Sequence, residues 1–347
     1  RCLESFDNGR KNTVLQTTAE QLLVSLYNQG HANLTELWDL FDEADQIELD
    51  LARTLVLDGL PQLISQLPSV KHHPAISAVL ATFDKARREI ASAECAKLPS
   101  EAPRERKHEA LQKLEQLVRT DVSVQHAVLN AIRKKVERYQ YEPSSIPFEL
   151  LQNADDAVGE YQAMQLAEGR QRFAPDEICR FVATRTTQSL VFIHWGRPIT
   201  YAGKRNGYKS DYEQDLERML MLGASAKELD GEVTGKFGLG FKSVLLATDS
   251  PVIESGDVRF EIVAGCLPRQ AQTSSSAKEI VAQHRRGNMR PTVVELPMTN
   301  IPNTLMRRFD VLAGLCTVFS RRIRHIAVDT QTHAWRPERL LEAGTAW

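Results

Sequence analysis

Three polar residues recur at helical spacing within residues 144–157. Glu149, Asn153 and Asp156 lie at positions i, i+4 and i+7, so they share one face of a helix. An amide oxygen suits Mg²⁺, which prefers oxygen ligands, and a carboxylate one turn away can orient or deprotonate an attacking water. A solvated helix face is the simpler interpretation of the two acids. Asparagine, however, is disfavoured in helix interiors, and its place here favours a functional role.

A glycine-rich segment at residues 231–244 leads into an apolar helical run. Glycines let backbone N–H groups approach a phosphate closely, and a helix N-terminus adds partial positive charge. The segment is not a P-loop, because Phe241 separates Gly240 from the following lysine. It is not a dinucleotide fingerprint either, because Ser243 stands where the third glycine belongs. A purely structural turn is an equal alternative for this segment taken alone.

The elements that must position these residues change character along the chain. Helical periodicity dominates residues 13–98 and 108–139, with a break expected near residues 120–121. The polar stretch 98–107 contains two prolines and predicts a connector. Short apolar runs with strand character follow at residues 190–193, 258–263 and 292–296. The mixture predicts an α+β fold preceded by an all-helical region.

Composition narrows the class of protein. With 347 residues, 42% of them hydrophobic and 25% charged, the chain suits two globular domains. No apolar run approaches the roughly 18 residues that cross a bilayer, so no membrane partner is expected. Five cysteines without a Cys-x-x-Cys pair favour a reducing, cytoplasmic location. Because the sequence begins without methionine, we expect it to be a fragment of a longer protein.

The polar helix and the glycine-rich segment together resemble the GHKL, or Bergerat-fold, ATPases over roughly residues 120–330. The run Leu-Leu-Gln-Asn-Ala-Asp-Asp-Ala at residues 150–157 is most similar to sacsin and its relatives, near the heat-shock chaperone branch. The resemblance implies a two-layer α/β sandwich, with a mixed, mostly antiparallel sheet and helices on one face. The implied organisation is a helical region at 1–120, an ATP-binding domain at 121–330 and a following segment at 331–347.

By position, the resemblance implies that Glu149 activates water, Asn153 binds Mg²⁺ and Asp156 supports the nucleotide pocket. Residues of the phosphate-binding lid hinge are also implied, at Gly235, Lys236, Phe237, Gly238, Leu239, Gly240 and Phe241. Residues 223–227, which precede this hinge, resemble a family segment whose lysine approaches the nucleotide, and Lys227 matches that lysine. The lid itself is expected at about residues 197–234.

One strand departs from the family pattern. The family carries Asp-x-Gly-x-Gly, whose aspartate binds the adenine amino group, whereas His194 stands in its place here and Gly196 is the surviving glycine. A neutral imidazole could accept from that amino group in one of its two tautomers. A histidine that only packs beside Trp195 is an equal alternative.

The resemblance implies Mg²⁺-dependent ATP binding and slow hydrolysis, because chaperone-type members use a basic residue from a following domain. Lid closure would drive chaperone-like or regulatory rearrangement, either in a homodimer or through additional domains of a longer chain. One alternative is a binding-only nucleotide sensor in a defence or quality-control protein. The other is nucleic-acid binding by clusters of basic residues, which is less expected at a net charge of −2. The arginines of these clusters are Arg285, Arg286, Arg290, Arg307, Arg308, Arg321, Arg322 and Arg324.

Overall fold

The structure is a computed structural model that describes residues 57, 59–167, 175–199, 215–220, 239–256, 258–285, 290–299 and 301–335. Its helices, in chain order, are α1 (Pro68–Lys71), α2 (Pro74–Cys95), α3 (Glu101–Thr120), α4 (Val122–Arg138), α5 (Ile146–Ala167), α6 (Pro175–Ile178), α7 (Asp215–Leu220), α8 (Leu239–Lys242), α9 (Ser275–His284) and α10 (Asn303–Phe319). Turns of 3-10 helix precede α5 at Pro143–Ser145 and follow α8 at Ser243–Leu246.

Local sequence signals explain the boundaries of the first helices. Pro68 and Pro74 each occupy the first turn of a helix, where the missing N–H costs nothing. Asp121 ends α3 and caps α4, accepting from the backbone N–H groups of Ser123 and Val124. The break predicted at 120–121 is therefore confirmed. The predicted connector at 98–107 is wrong beyond Ser100, because Pro103 falls within the first turn of α3 and is tolerated there.

An eight-stranded sheet follows in the order β5-β4-β3-β6-β2-β1-β7-β8. Neighbouring strands are antiparallel except β1 and β7, which run parallel. The prediction of a mixed, mostly antiparallel sheet preceded by a helical region is confirmed. The strands are β1 (Arg180–Arg185), β2 (Ser189–His194), β3 (Val252–Ser255), β4 (Val258–Val263), β5 (Leu267–Gln270), β6 (Thr292–Pro297), β7 (His325–Val328) and β8 (Gln331–Ala334).

Helices α5 and α10 pack together on one face of this sheet. The ring of Phe148 meets that of Phe309 edge-on at 5.2 Å between centroids, and Phe181 of β1 approaches Phe309 at 6.1 Å. The N-terminal helices join the same buried core, and Arg133 of α4 donates to the carbonyl of Leu245 over 2.6 Å. Helix α4 is thus held against the 3-10 turn that follows α8.

A carboxylate on α5 fixes the helix to the chain that enters β7. Asp155 is buried and accepts three backbone N–H bonds, from Arg321 at 3.0 Å and from Arg322 and Ile323 at 2.7 Å each. Bonds from amides to an ionised carboxylate are stronger than neutral ones. Asp155 therefore has a structural role, which sequence alone does not distinguish from that of its neighbour Asp156.

Candidate functional site

The polar stripe of α5 lies where the sequence placed it. Leu150, Leu151 and Ala154 are buried, while Glu149 and Asn153 are half-exposed. Within the described residues, the side-chain amide of Asn153 has no hydrogen-bond partner, and it lines a cavity between α5 and the sheet. Asp156, one turn further along the same face, is half-exposed but does not line that cavity.

The cavity at α5 has a volume of about 50 Å³, which is room for a few water molecules rather than a nucleotide. Most of its wall is apolar, with Asn153, His194, Arg197, Asp215 and Thr292 as the polar exceptions. The apolar residues of the wall are Leu150, Ala157, Phe181, Phe192, Pro198, Ile199, Met219, Phe241 and Val294. An apolar pocket with a few convergent polar groups is typical of a small-ligand site.

His194 ends β2 at the edge of this cavity. Its register partner on β6 is Thr292, whose hydroxyl lies 2.6 Å from the hydroxyl of Ser255 on β3. The Nδ1 atom of His194 accepts from the backbone N–H of Gly196 over 3.1 Å. Burial, and after it the charge of Arg197, lower the pKa of His194 to about 4. The imidazole is therefore neutral at physiological pH.

Gly196 brings the chain after β2 directly against α5. A Cβ at this position would lie 2.6 Å from the carbonyl carbon of Ala157 and 2.7 Å from the nitrogen of Val158. The next residue, Arg197, donates its backbone N–H to the carbonyl of Ala157 over 2.9 Å. Only glycine permits so close an approach of two backbones, which gives Gly196 a definite role in forming the cavity.

Arg197 forms a buried ion cluster that the sequence did not reveal. Its Nε donates to Glu160 of α5 over 2.8 Å, and its guanidinium also binds both carboxylate oxygens of Asp215 on α7. Arg197 and Asp215 each retain only 3% exposure. The cluster joins α5, the end of β2 and α7 around one side of the cavity. No short sequence motif indicates this ion cluster, because Glu160, Arg197 and Asp215 are far apart in the sequence.

Glu149 occupies the other end of the polar stripe. Burial raises the pKa of its carboxyl, and a Cβ added at Gly240 would lie 2.5 Å from its Oε2. The hydroxyl of Tyr141 would be 3.8 Å from the same added atom, and burial together with the charge of Glu149 raises the pKa of Tyr141. The glycine therefore leaves room for a partly desolvated carboxylate, as a general base requires.

The helix α5, the cavity strands and the glycine-rich turn all fall within one region of homology. A family model described as the sacsin domain matches residues 125–299. The chain belongs to the sacsin domain family. A comparison with curated proteins found no match.

In this sacsin domain the described part of the glycine-rich segment begins at α8. Phe241 lines the cavity, and Gly240 borders Glu149. Five other predicted site residues lie outside the described residues, namely Lys227, Gly235, Lys236, Phe237 and Gly238. Residues 200–214 and 221–234 of the expected lid lie outside them as well. Leu239 is described only by its place at the start of α8.

Lys242 follows as an unanticipated buried cation of the sacsin domain. It is fully buried and donates its Nζ to the carbonyl of Leu220 over 2.8 Å and to that of Gly265. Burial lowers its pKa to about 8. Because Leu220 ends α7 and Gly265 lies between β4 and β5, Lys242 fixes the end of the glycine-rich turn to two neighbouring segments.

Two arginines of the basic clusters, on the C-terminal side of the matched region, have structural contacts. Arg324 donates to the carbonyls of Ser320 and Arg321 and lies over the ring of Trp335 at 5.0 Å. Arg308 lies 5.9 Å from the ring of Phe148. These contacts account for two members of the basic clusters without nucleic acid. Arg286 lies outside the described residues.

Two further properties concern metals and membranes. Among the described residues, no group of three His, Cys, Asp or Glu side chains could hold a metal ion. None of the described helices is both long and apolar enough to cross a membrane.

Proposed function

We propose that this sacsin domain binds the Mg²⁺ complex of a purine nucleoside triphosphate at the α5 cavity and hydrolyses it slowly. ATP is the nucleotide that the GHKL resemblance implies. The observation that carries the proposal is the pairing, on one helix face, of the Asn153 amide, which has no partner among the described residues, with a partly desolvated carboxylate at Glu149. A solvated structural helix has no need of such an amide beside an apolar cavity.

The residues present fit a magnesium–nucleotide complex. Mg²⁺ keeps several waters and is commonly held by one or two protein oxygens together with phosphate oxygens, so the amide oxygen of Asn153 suffices as the protein ligand. The ion would neutralise phosphate charge when bound. Asp156, on the same face of α5, can accept hydrogen bonds from ordered water around the ion. The magnesium ion therefore does not need a set of ligands made up of protein side chains alone.

The base would enter the apolar part of the cavity, between the rings of Phe181 and Phe192 on the sheet and Met219 on α7. Ligand pockets usually enclose about 300–1,000 Å³, whereas this cavity encloses about 50 Å³. Binding therefore requires the wall to open. Opening would displace the short helices α7 and α8, which carry Met219 and Phe241 and are held by the contacts of Asp215 and Lys242.

The chemical step belongs to Glu149. Its carboxylate would orient a water molecule and take the proton that the water loses as it attacks the terminal phosphorus. Its raised pKa makes it a better base than an exposed glutamate. Closure of a lid over the nucleotide would then be coupled to rearrangement of a longer, cytoplasmic protein or of a homodimer, the chaperone-like or regulatory output proposed here.

Replacing Asn153 with alanine is expected to weaken binding of the magnesium nucleotide by at least tenfold, because it removes the protein ligand of the ion. Isothermal titration with MgATP and separately with MgGTP measures this, with EDTA-treated nucleotide as the metal-free comparison. Gln152→Ala is the matched control, since Gln152 is the exposed neighbour on the same helix. Equal affinity in the parent and Asn153→Ala would refute the magnesium assignment. Failure of both nucleotides to bind the parent would refute the function.

A further inference from the structure

The hydroxyl of Tyr141 and the carboxylate of Glu149 face the same small space beside Gly240. The position that a Cβ of Gly240 would take lies 2.5 Å from Oε2 of Glu149 and 3.8 Å from the hydroxyl oxygen of Tyr141. Among the described residues, and apart from the chain neighbours of Gly240, these two side chains supply the nearest atoms to that position. The glycine therefore leaves open a space that is bordered by two oxygen-bearing groups.

No hydrogen bond joins these two groups, and within the described residues neither has another hydrogen-bond partner. Burial raises the pKa of both side chains, and the charge of Glu149 raises the pKa of Tyr141 further. The tyrosine hydroxyl therefore keeps its proton at physiological pH and can both donate and accept hydrogen bonds. Polar groups that face each other across more than a direct hydrogen bond are commonly bridged by water. The space beside Gly240 thus suits a water molecule that contacts both oxygens.

The chain between α4 and α5 holds Tyr141 in this place. Just after α4, Gln140 has a φ of 63°, the left-handed conformation that commonly ends a helix and redirects the chain. The ring of Tyr141 packs against the hydrophobic core. Ser145 then donates its backbone N–H over 2.9 Å and its hydroxyl over 2.7 Å to the carbonyl of Glu142. These bonds close the 3-10 turn that leads directly into the helix carrying Glu149.

We propose that Tyr141 positions the attacking water for Glu149. The tyrosine oxygen accepts one hydrogen of the water, and the glutamate carboxylate accepts the other. This inference rests on the proposed function and deepens it, since it adds a second residue to the chemical step. With both hydrogens held, a lone pair of the water oxygen is directed away from the two side chains and towards the terminal phosphorus, and such orientation lowers the barrier to attack.

The step that Tyr141 assists is a hydrolysis. The water oxygen forms a bond to the terminal phosphorus while the bond from that phosphorus to the bridging oxygen breaks, and the nucleoside diphosphate leaves. One proton of the water passes to Glu149. The hydrogen that was held by Tyr141 stays on the phosphate product, so the tyrosine neither gains nor loses a proton.

Replacing Tyr141 with phenylalanine tests the inference, because it removes one oxygen atom and keeps the ring. The single-turnover rate, with MgATP or MgGTP according to which binds the parent more tightly, should fall about 10- to 100-fold, since a water held by one group is misplaced. Calorimetric affinity for the same nucleotide should stay within about threefold. The acid limb of the pH profile, which Glu149 sets, should keep its position. Tyr139→Phe, the same change at a tyrosine that is 57% exposed, should leave rate and affinity unchanged.

Three results would count against Tyr141 as the positioning residue. Equal turnover in the parent and Tyr141→Phe would overturn the inference and leave the proposed function standing. A slower rate accompanied by an equal loss of affinity, or by a shifted acid limb, would give Tyr141 a structural or purely electrostatic role and overturn the inference as well. A parent without turnover above the protein-free rate would overturn both the inference and the hydrolytic part of the proposed function.

Discussion

Replacing Glu149 with glutamine is expected to lower nucleotide turnover by about 10²- to 10⁴-fold while affinity changes only a few-fold. Loss of a positioned general base costs a rate factor of this size, and glutamine keeps the size of the side chain while removing its basicity. Single-turnover product detection over hours, with the nucleotide that binds more tightly, measures the rate. Binding of the same nucleotide by calorimetry supplies the affinity.

The control for this substitution is Glu142→Gln, the same chemical change at an exposed glutamate just before α5. It should leave turnover within about twofold of the parent. Equal turnover in the parent and Glu149→Gln, both above the protein-free rate, would exclude Glu149 as the base. Tight binding without turnover in the parent would instead favour the nucleotide-sensor alternative.

The pH profile of turnover adds a second measurement on Glu149. Burial raises the pKa of its carboxyl, and a general base works only when it is deprotonated. Turnover should therefore fall as pH drops through this raised pKa, beginning at a higher pH than an exposed glutamate would give. A rate independent of pH across the acid range would contradict the assignment of the base.

Replacing Arg197 with methionine should lower the free energy of unfolding by about 3–5 kcal/mol. Methionine fills much of the volume of arginine but removes the guanidinium that binds both carboxylate oxygens of the buried Asp215, and breaking a buried ion pair from one side costs about this much. Glu160, half-exposed, can turn to water and contributes less. Urea denaturation followed by circular dichroism measures the change.

Two comparisons separate charge from packing at Arg197. The double variant Arg197→Met/Asp215→Asn should recover much of the lost stability, because it removes the buried carboxylate charge as well. Arg104→Met breaks an exposed pair with Glu94, whose side chains are 63% and 56% exposed, and should cost about 1 kcal/mol or less. A loss below about 1 kcal/mol for Arg197→Met would show that the cluster does not support the fold.

The sequence predicted elements whose signal is local. The spacing of Glu149, Asn153 and Asp156 specifies one helix face, and α5 carries all three on it. The apolar runs at 190–193 and 292–296 became β2 and β6 because β-rich apolar stretches need no distant information. The functional interpretation of the stripe stays a prediction.

The features that could not be predicted depend on contacts between residues far apart in the sequence. The place of β6 between β2 and β3, and the parallel pairing of β1 with β7, depend on crossovers that leave no mark on local periodicity. Arg197 gave no local signal of its role, since its partner Asp215 lies on helix α7. Lys242 likewise looks like a surface lysine in the sequence, whereas in the structure its Nζ donates to the carbonyls of Leu220 and Gly265.

A hydrogen-exchange footprint of the bound nucleotide tests the location of the site most directly. The chain has a larger cavity, about 610 Å³, between α1, α2 and α3, lined among others by Lys71, Phe83, Arg87 and Lys107. We expect a non-hydrolysable magnesium nucleotide to slow amide exchange in residues 149–157, 190–199 and 239–246. Peptides from α2 and α3 should be unchanged. Slowed exchange confined to α1–α3, with no change in α5, would contradict a nucleotide site at α5.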